Sequence, residues 1–304
     1  MDNNDPVERE TEFRSGLVAI VGAPNAGKST LLNYMLGQKI SITSKKPQTT
    51  RNRILGILDR PGSQLIFLDT PGVHRAGTPL NVRIVDVALA ALADADLVLV
   101  MVDATAAGGK TNDYLMEKLQ AHAGTAILAV NKIDLIPKEH LLLMMDQWSA
   151  AHAFEAIVPI SATKGTQVET LIETMVKALP PGPPLYPPGQ LTDLPERFIA
   201  AEMIREKAFR MTGQEIPYAV AVTVDDFKEE KEGRLIRIHA TIHVERDSQK
   251  GMVIGRQGQK LKEIGESARK EIERMVGTKV FLKLFVRVQK NWSKDTKALR
   301  RFGY

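Results

Sequence analysis

The sequence predicts a mostly parallel α/β sheet wrapped by helices on both faces, followed by a small α+β domain. Three observations carry this. Across residues 16–179 short apolar runs alternate with longer stretches of helical character; residues 180–195 (PPGPPLYPPGQLTDLP) hold seven prolines; and residues 196–304 switch to a helix, two alternating runs, a second helix and a last alternating run.

Residues 1–15 have neither a basic leader nor an apolar stretch and read as a flexible arm, not a signal peptide. Leu17–Val21, Leu65–Leu68, Leu97–Val102, Ala126–Val130 and Ile157–Ile160 are apolar runs of strand length, and helix-like segments between them demand parallel crossovers. Ile54–Leu58 adds a strand that the turn Asp59-Arg60-Pro61-Gly62 joins to Leu65–Leu68, making one antiparallel edge. The stripe Leu141–Trp148 (LLLMMDQW) reads as helix core. The prolines of 180–195 fix φ and remove backbone donors, so this segment is a semi-rigid spacer between domains. Beyond it come a helix over Glu196–Met211, a hairpin of Tyr218–Val224 and Leu235–Val244 across the charged turn DDFKEEKEG, a helix over Leu261–Met275 and a strand over Val280–Val288.

Composition narrows the chemistry. With no cysteine in 304 residues, disulfides, thiolate metal sites and a thiol nucleophile are excluded. The longest apolar run, Val87 to Ala93, is seven residues, far below the roughly 20 a membrane helix needs. The net charge of +5 is uneven: residues 1–179 carry 17 basic against 19 acidic side chains, and from Arg234 onward the count is 18 against 7. That end calls for a polyanion, nucleic acid first and an anionic membrane surface second.

Gly22-Ala23-Pro24-Asn25-Ala26-Gly27-Lys28-Ser29 fits G-x-x-x-x-G-K-[ST] between a strand and the helix-like run that begins at Thr30. Glycines at both ends let the backbone curl its N–H groups onto phosphates, and the helix N-terminus adds a positive dipole end. Lys28 is expected on the β- and γ-phosphates and Ser29 on Mg²⁺. Asp69-Thr70-Pro71-Gly72 follows the next parallel strand, where an acid for the metal and a glycine N–H for the γ-phosphate are needed. Asn131-Lys132-Ile133-Asp134 ends another strand. A carboxylate at Asp134 accepts from N1–H and the 2-amino group of guanine, donors adenine lacks in that arrangement, so the nucleotide is GTP or GDP. Ser161-Ala162-Thr163, again at a strand end, can give a backbone N–H to the guanine carbonyl.

In family order and at family spacing, these motifs resemble the P-loop GTPases of the translation-factor class. The loop Ser44 to Arg51 resembles the first switch of that class, whose threonine closes over Mg²⁺ and the γ-phosphate. Thr50 takes that role here with Thr49 as competitor, since the tandem pair is unresolved by sequence, and Ser29, Thr50 and Asp69 form the expected metal set. After Gly72 stands Val73 and not the glutamine that orients water in Ras-like enzymes. In related GTPases with an apolar residue there, the asparagine of G-x-P-N-x-G-K-S helps bind K⁺; Asn25 matches it, so the catalytic set is Lys28, Thr50, Gly72 and Asn25 with K⁺ as a further expected cofactor.

In the basic half, Gly255-Arg256-Gln257-Gly258 precedes a helix and then a strand, the order of a KH domain, whose G-x-x-G turn clamps about four nucleotides of single-stranded RNA. The glycines admit the backbone, and Arg256 and Lys260 with the helix N-terminus attract phosphate. With the preceding helix and hairpin the order resembles a type II KH fold. Trp292 is expected to pack against the domain in preference to stacking on a base, and His239 and His243, on one face of a strand, are assigned no metal.

A GTPase domain, a proline-rich linker and a type II KH domain together resemble the Era family of bacterial GTPases over essentially the whole chain. The resemblance implies binding to the 3′ end of 16S ribosomal RNA, a role in assembling the 30S subunit, a cytoplasmic location with peripheral contact to the inner membrane, no DNA partner, and a monomer.

Overall fold

The computed structural model describes residues 12–44, 49–72, 90–106, 116, 117, 119, 124–212, 220–230 and 232–303. The expectations placed on most of the N-terminal arm, on Lys45 to Gln48, on Val73 and on the start of Tyr218–Val224 therefore lie outside the described residues.

The six-stranded sheet has the order β2-β3-β1-β4-β5-β6, from β1 (Arg14–Gly22), β2 (Ile54–Arg60), β3 (Ser63–Asp69), β4 (Leu97–Asp103), β5 (Thr125–Asn131) and β6 (Ala156–Ile160). All neighbours are parallel except β2 with β3. The strands are nearly continuous apolar runs because both faces are covered. On one face lie α1 (Lys28–Leu36) and α3 (Val168–Ala178), which bury Leu31, Leu32, Leu171 and Met175. On the other, Leu92, Leu119 and the inward side of α2 (Lys138–Ala151) pack over Ala19, Val100 and Leu128. The α2 stripe is only half core. Leu141, Met144, Met145 and Trp148 pack against the sheet, whereas Leu142 and Leu143 are exposed.

The proline-rich segment is laid along the sheet edge. Ile57 donates its N–H to the Leu191 carbonyl (2.8 Å), Thr192 Oγ1 donates to Leu55 O (2.6 Å), and Gln64 Oε1 accepts from Leu185 and Tyr186 N–H (2.7 and 2.9 Å). A spacer expected to owe its stiffness to proline alone is thus also fastened by side chains that sequence gives no reason to pair with it.

The second unit stacks α4 (Glu196–Met211), α5 (Asp247–Ile254) and α6 (Gln259–Val276) on a three-stranded sheet of order β7-β8-β9, with β7 Ala221–Glu230, β8 Leu235–Val244 and β9 Lys279–Val288. Strand β8 is antiparallel to β7 and parallel to β9. The charged stretch from Asp225 to Glu230 is strand and not turn. A register shift between Val224 and Asp226 leaves Asp225 accepting from Thr223 and Thr241 hydroxyls, and Phe227 sits opposite buried Ile238. Trp292 is fully buried with Ala221, Leu299 and Phe302, the last capping the C-terminus of the short helix α7 (Thr296–Arg301). His243 bonds Thr223 Oγ1 (2.9 Å) and lies 4.5 Å from the Phe302 ring, while His239 faces Phe281 and Phe285.

Candidate functional site

Parallel strands deliver their C-terminal ends to one side of the sheet, and the expected motifs sit at four of those ends. They line one cleft of about 990 Å³ with Pro24, Gly27, Lys28, Thr50, Gly72, Asn131 and Asp134 in its wall. The loop after β1 needs its glycines. Gly22 has φ 158° and a Cβ there would lie 2.3 Å from Met101 O; Gly27 has φ 103° and a Cβ would lie 2.2 Å from Asn131 Nδ2. Asn25 adopts φ 67°. Lys28 is buried and donates to Gly22 O and Ala23 O (both 3.0 Å). Burial lowers its pKa to about 8, against the pull of Asp69, so it remains a cation at neutral pH.

The expected metal set converges. Ser29 Oγ donates to Asp69 Oδ2 (2.7 Å) and lies 3.0 Å from Thr50 Oγ1, and Ser41 Oγ also donates to Asp69 Oδ2 (2.8 Å). Asp69 is fully buried and its Oδ1 has no hydrogen-bond partner among the described residues. An orphaned carboxylate oxygen beside two hydroxyls is a hard-oxygen set, and one carboxylate with hydroxyls is what Mg²⁺ takes when substrate phosphates complete its shell, so the residues fit that ion. Of the two threonines, Thr50 brings its hydroxyl to Ser29, while the Thr49 carbonyl accepts from Arg205 (2.6 Å). Gly72 is pressed on the phosphate loop, since a Cβ there would lie 2.8 Å from Pro24 N and Cα. Thr70 points away, donating to Ile20 O (2.7 Å).

Asn131 acts as a brace. Its Nδ2 donates to Ala26 O (2.8 Å) and its Oδ1 accepts from Ala162 N–H (2.9 Å), tying the phosphate loop to the Ser161 loop. Lys132, at φ 68°, pairs with Asp103 at the end of β4. Burial alone would raise the Asp103 carboxyl, but Lys132 and Thr105 outweigh it and hold it below the usual range. The Asp134 carboxyl lies in the cleft wall, 3.7 Å from Lys164 Nζ, and the Ser161 hydroxyl with Lys164 keeps it ionised.

Several functional residues escaped sequence reasoning. Asp103 and Ser41 belong to no motif; only its place at a strand end could have flagged Asp103. The larger omission is α4 of the second unit. Glu206, with no exposed side-chain surface, accepts from Thr43 N–H (3.3 Å) and pairs with Lys39, Lys207 and Arg210. Arg210 donates to Thr43 O (2.6 Å) and lines the cleft itself. Arg205 bridges the Glu202 carboxylate and Thr49 O, and Arg51 donates to Val220 O (2.9 Å) with its guanidinium 5.7 Å from the Trp292 ring centre. The segment bearing Thr50 is therefore held on both sides of that residue by the second unit.

At the other expected site, the turn from Gly255 to Gly258 joins α5 to α6. Gly255, Gln257 and Gly258 all have positive φ (72°, 51° and 79°), and the space beside Gly258 is open. Arg256 and Gln257 are exposed, Lys260 is half-buried, and the 18-residue α6 starts directly after Gly258. The long helix that follows presents its N-terminus to the turn.

Comparison with known proteins gives the same two parts. Residues 17–132 match a family model described as 50S ribosome-binding GTPase, and residues 215–293 match the KH domain. The chain is 54% identical over 295 residues to the GTPase Era of Geotalea uraniireducens, covering 97% of this chain and 99% of that one. It is 48% identical over 295 residues to the GTPase Era of Lactobacillus helveticus, covering 97% of each. Among solved structures it is similar to an Aquifex aeolicus Era variant bound to GDP and tetrafluoroaluminate, with TM-score 0.93, 40% identity and coverage of 96% of this chain and 99% of that one. It is equally similar to Era in complex with MgGDPNP and nucleotides 1506–1542 of 16S ribosomal RNA, with TM-score 0.93, 41% identity and the same coverage.

Proposed function

The chain belongs to the Era family of GTPases and hydrolyses GTP, and on that premise we propose that it is a nucleotide-controlled switch that binds the 3′ region of 16S ribosomal RNA and acts in maturation of the 30S subunit. The observation that carries the switch is the double grip on the Thr50 segment, through Glu206 and Arg210 at Thr43 and through Arg205 at Thr49. Anything that draws Thr50 toward a γ-phosphate pulls on α4, and α4 is part of the RNA-binding unit.

In this reading Gly22 to Thr30 wrap the phosphates with backbone N–H groups, Lys28 holds the β- and γ-oxygens, and Asp134 selects guanine, with Asn131 keeping the loops in register and Ala162 offering its N–H to the base. Ser29, Thr50 and Asp69 hold Mg²⁺, which when bound neutralises charge on the phosphate oxygens. Gly72 gives its N–H to the γ-phosphate, and its seat against Pro24 keeps that donor beside the phosphate loop. With valine at position 73, no carboxamide follows Gly72 to position the attacking water. Asn25 with K⁺ is the proposed source of the missing positive charge. The Gly255 to Gly258 turn, with Arg256 and Lys260, takes the RNA backbone. The domains divide at the fastened 180–195 segment, and the chain works as a cytoplasmic monomer, its basic end also able to meet the inner membrane surface.

Coupling of this kind is reciprocal, so RNA and nucleotide must alter each other's affinity by one factor. Affinity of the full chain for a 37-nucleotide RNA matching the 16S 3′ end is measured with a GTP analogue, with GDP and without nucleotide. A difference of about fivefold or more between the first two is expected; equal values in all three states end the switch reading.

A further inference from the structure

Strand β9 is an edge of the second sheet, with no further strand beside it among the described residues, and shows two unlike faces. Its inward side chains, Val280, Leu282, Leu284 and Val286, pack on the core beneath α5 and α6, the helices joined by the G-x-x-G turn. Outward stand Lys279, Phe281, Lys283, Phe285 and Arg287, all exposed, with Phe281 and Phe285 at 51% and 45%. His239 on β8 lies between the two phenylalanines, its ring centre 6.5 and 6.4 Å from theirs, so three rings form a row. Lys283 Nζ lies 5.2 Å from the Phe285 ring centre.

Edge strands are normally protected by charge, and the lysines alone would serve that end. Two phenylalanines left in water on the same strand cost stability and invite aggregation unless a partner covers them. The charge pattern identifies the partner. Lys279, Lys283 and Arg287 form no ion pair among the described residues, whereas Arg237 on β8 is already paired with Asp226 and Glu230 of the opposite edge strand. The cationic strip thus runs along β9 only and ends where β7 turns acidic. A linear polyanion with flat faces fits a row of rings between cations, because every base has a π-face to stack and each phosphate meets a lysine or arginine.

We propose that the outward face of β9 is a second RNA-binding surface: single-stranded RNA that leaves the G-x-x-G turn and passes round the β9 edge, to the face away from α5 and α6, stacks its bases on Phe281 and Phe285 while Lys283 and Arg287 take its phosphates. This rests on the RNA-binding reading of the G-x-x-G turn and extends it to the other face of the sheet.

The test uses the full chain with fluorescent single-stranded RNAs of 6 and 16 nucleotides, and vesicles containing phosphatidylglycerol. The F281A/F285A variant should bind the 16-mer about tenfold or more weakly, with the 6-mer within about twofold of the unsubstituted chain. F281L/F285L, which keeps apolar area but removes the aromatic faces, should lose nearly as much. Lys283→Gln should lower the salt dependence of 16-mer binding by about 0.7 in the log–log slope. Arg256→Glu should weaken both RNAs alike. An unchanged 16-mer affinity in both phenylalanine variants, or an equal loss on the 6-mer, overturns the second surface and leaves the turn intact. Vesicle binding that needs the phenylalanines while RNA binding does not also overturns it. If the unsubstituted chain holds neither RNA, the parent reading falls and takes this one with it.

Discussion

Removing Arg205 tests one of the two holds that the second unit has on the Thr50 segment. Arg205 is fully buried, forks onto the Glu202 carboxylate at 2.7 and 2.6 Å, and gives a charged hydrogen bond to Thr49 O at 2.6 Å. Arg205→Met alone would strand Glu202, only 8% exposed, and cost about 3–5 kcal/mol of stability. The informative variant is therefore Arg205→Met with Glu202→Gln, which deletes the hold on Thr49, leaves the Glu206 and Arg210 contacts at Thr43 in place, and strands no buried charge. A hydrogen bond from a charged donor contributes about 1.5–3 kcal/mol, or roughly 10- to 150-fold in an equilibrium constant. On the proposed role of Thr50 at Mg²⁺ and the γ-phosphate, the loss should appear in affinity for a GTP analogue, with GDP affinity within about threefold of the parent. Fluorescence titration with both nucleotides, beside thermal melts, measures this. Equal weakening of both nucleotides, or no weakening at an unchanged Tm, would refute the reasoning.

Gly72→Ala sets a methyl 2.8 Å from the Pro24 backbone, which has nowhere to yield, so GTP turnover should fall by about tenfold or more while GDP binding persists. Replacing K⁺ by Na⁺ should slow single-turnover hydrolysis by about tenfold, and Asn25→Ala should abolish the difference; identical rates in the two salts would dismiss the cation. Burial pushes His243 down to about 4, with Asp225 opposing and Arg301 and Arg287 assisting. The unfolded imidazole, near pH 6.5, takes its proton first as pH falls, so this contribution is whole above about 6.5 and is lost toward pH 4, on the order of 2–3 kcal/mol. Urea melts between pH 7.5 and 4.5 should show a shallower acid limb for His243→Gln; parallel limbs would exclude the histidine as the cause.

The first sheet was legible as mostly parallel with one antiparallel edge because strand-length apolar runs are separated by helical stretches, and because each chemical motif falls at a strand end where only a loop can stand; the strand order was not. The turn at Gly255 was legible for a different reason, two glycines three apart directly before a long amphipathic helix. What stayed hidden shares one physical cause, charge placed inside. Helix α4 buries Glu202, Arg205, Glu206 and Lys207, so it shows no amphipathic stripe, and charged residues on a helix ordinarily mean a solvated face. Asp225 to Glu230 hid a strand because a bulge broke the alternation and Phe227 was its single inward apolar residue. Helix α5 was missed because Gly251 interrupts it within eight residues. In the nucleotide site, Asn131 was legible as a site residue, but the direction of its amide was not, since bracing and base recognition ask for the same side chain.

The fastening of residues 185 to 192 along β2 bears on how this protein can be taken apart. Ile57 N–H and the Leu55 carbonyl belong to the outermost strand, and Leu191 and Thr192 occupy them. A fragment ended at residue 179 would present that strand bare, a template for pairing with another copy of itself. An isolated first domain that precipitates would then be reporting a stripped seam and not a failure to fold, and one ended after Thr192 should remain dispersed.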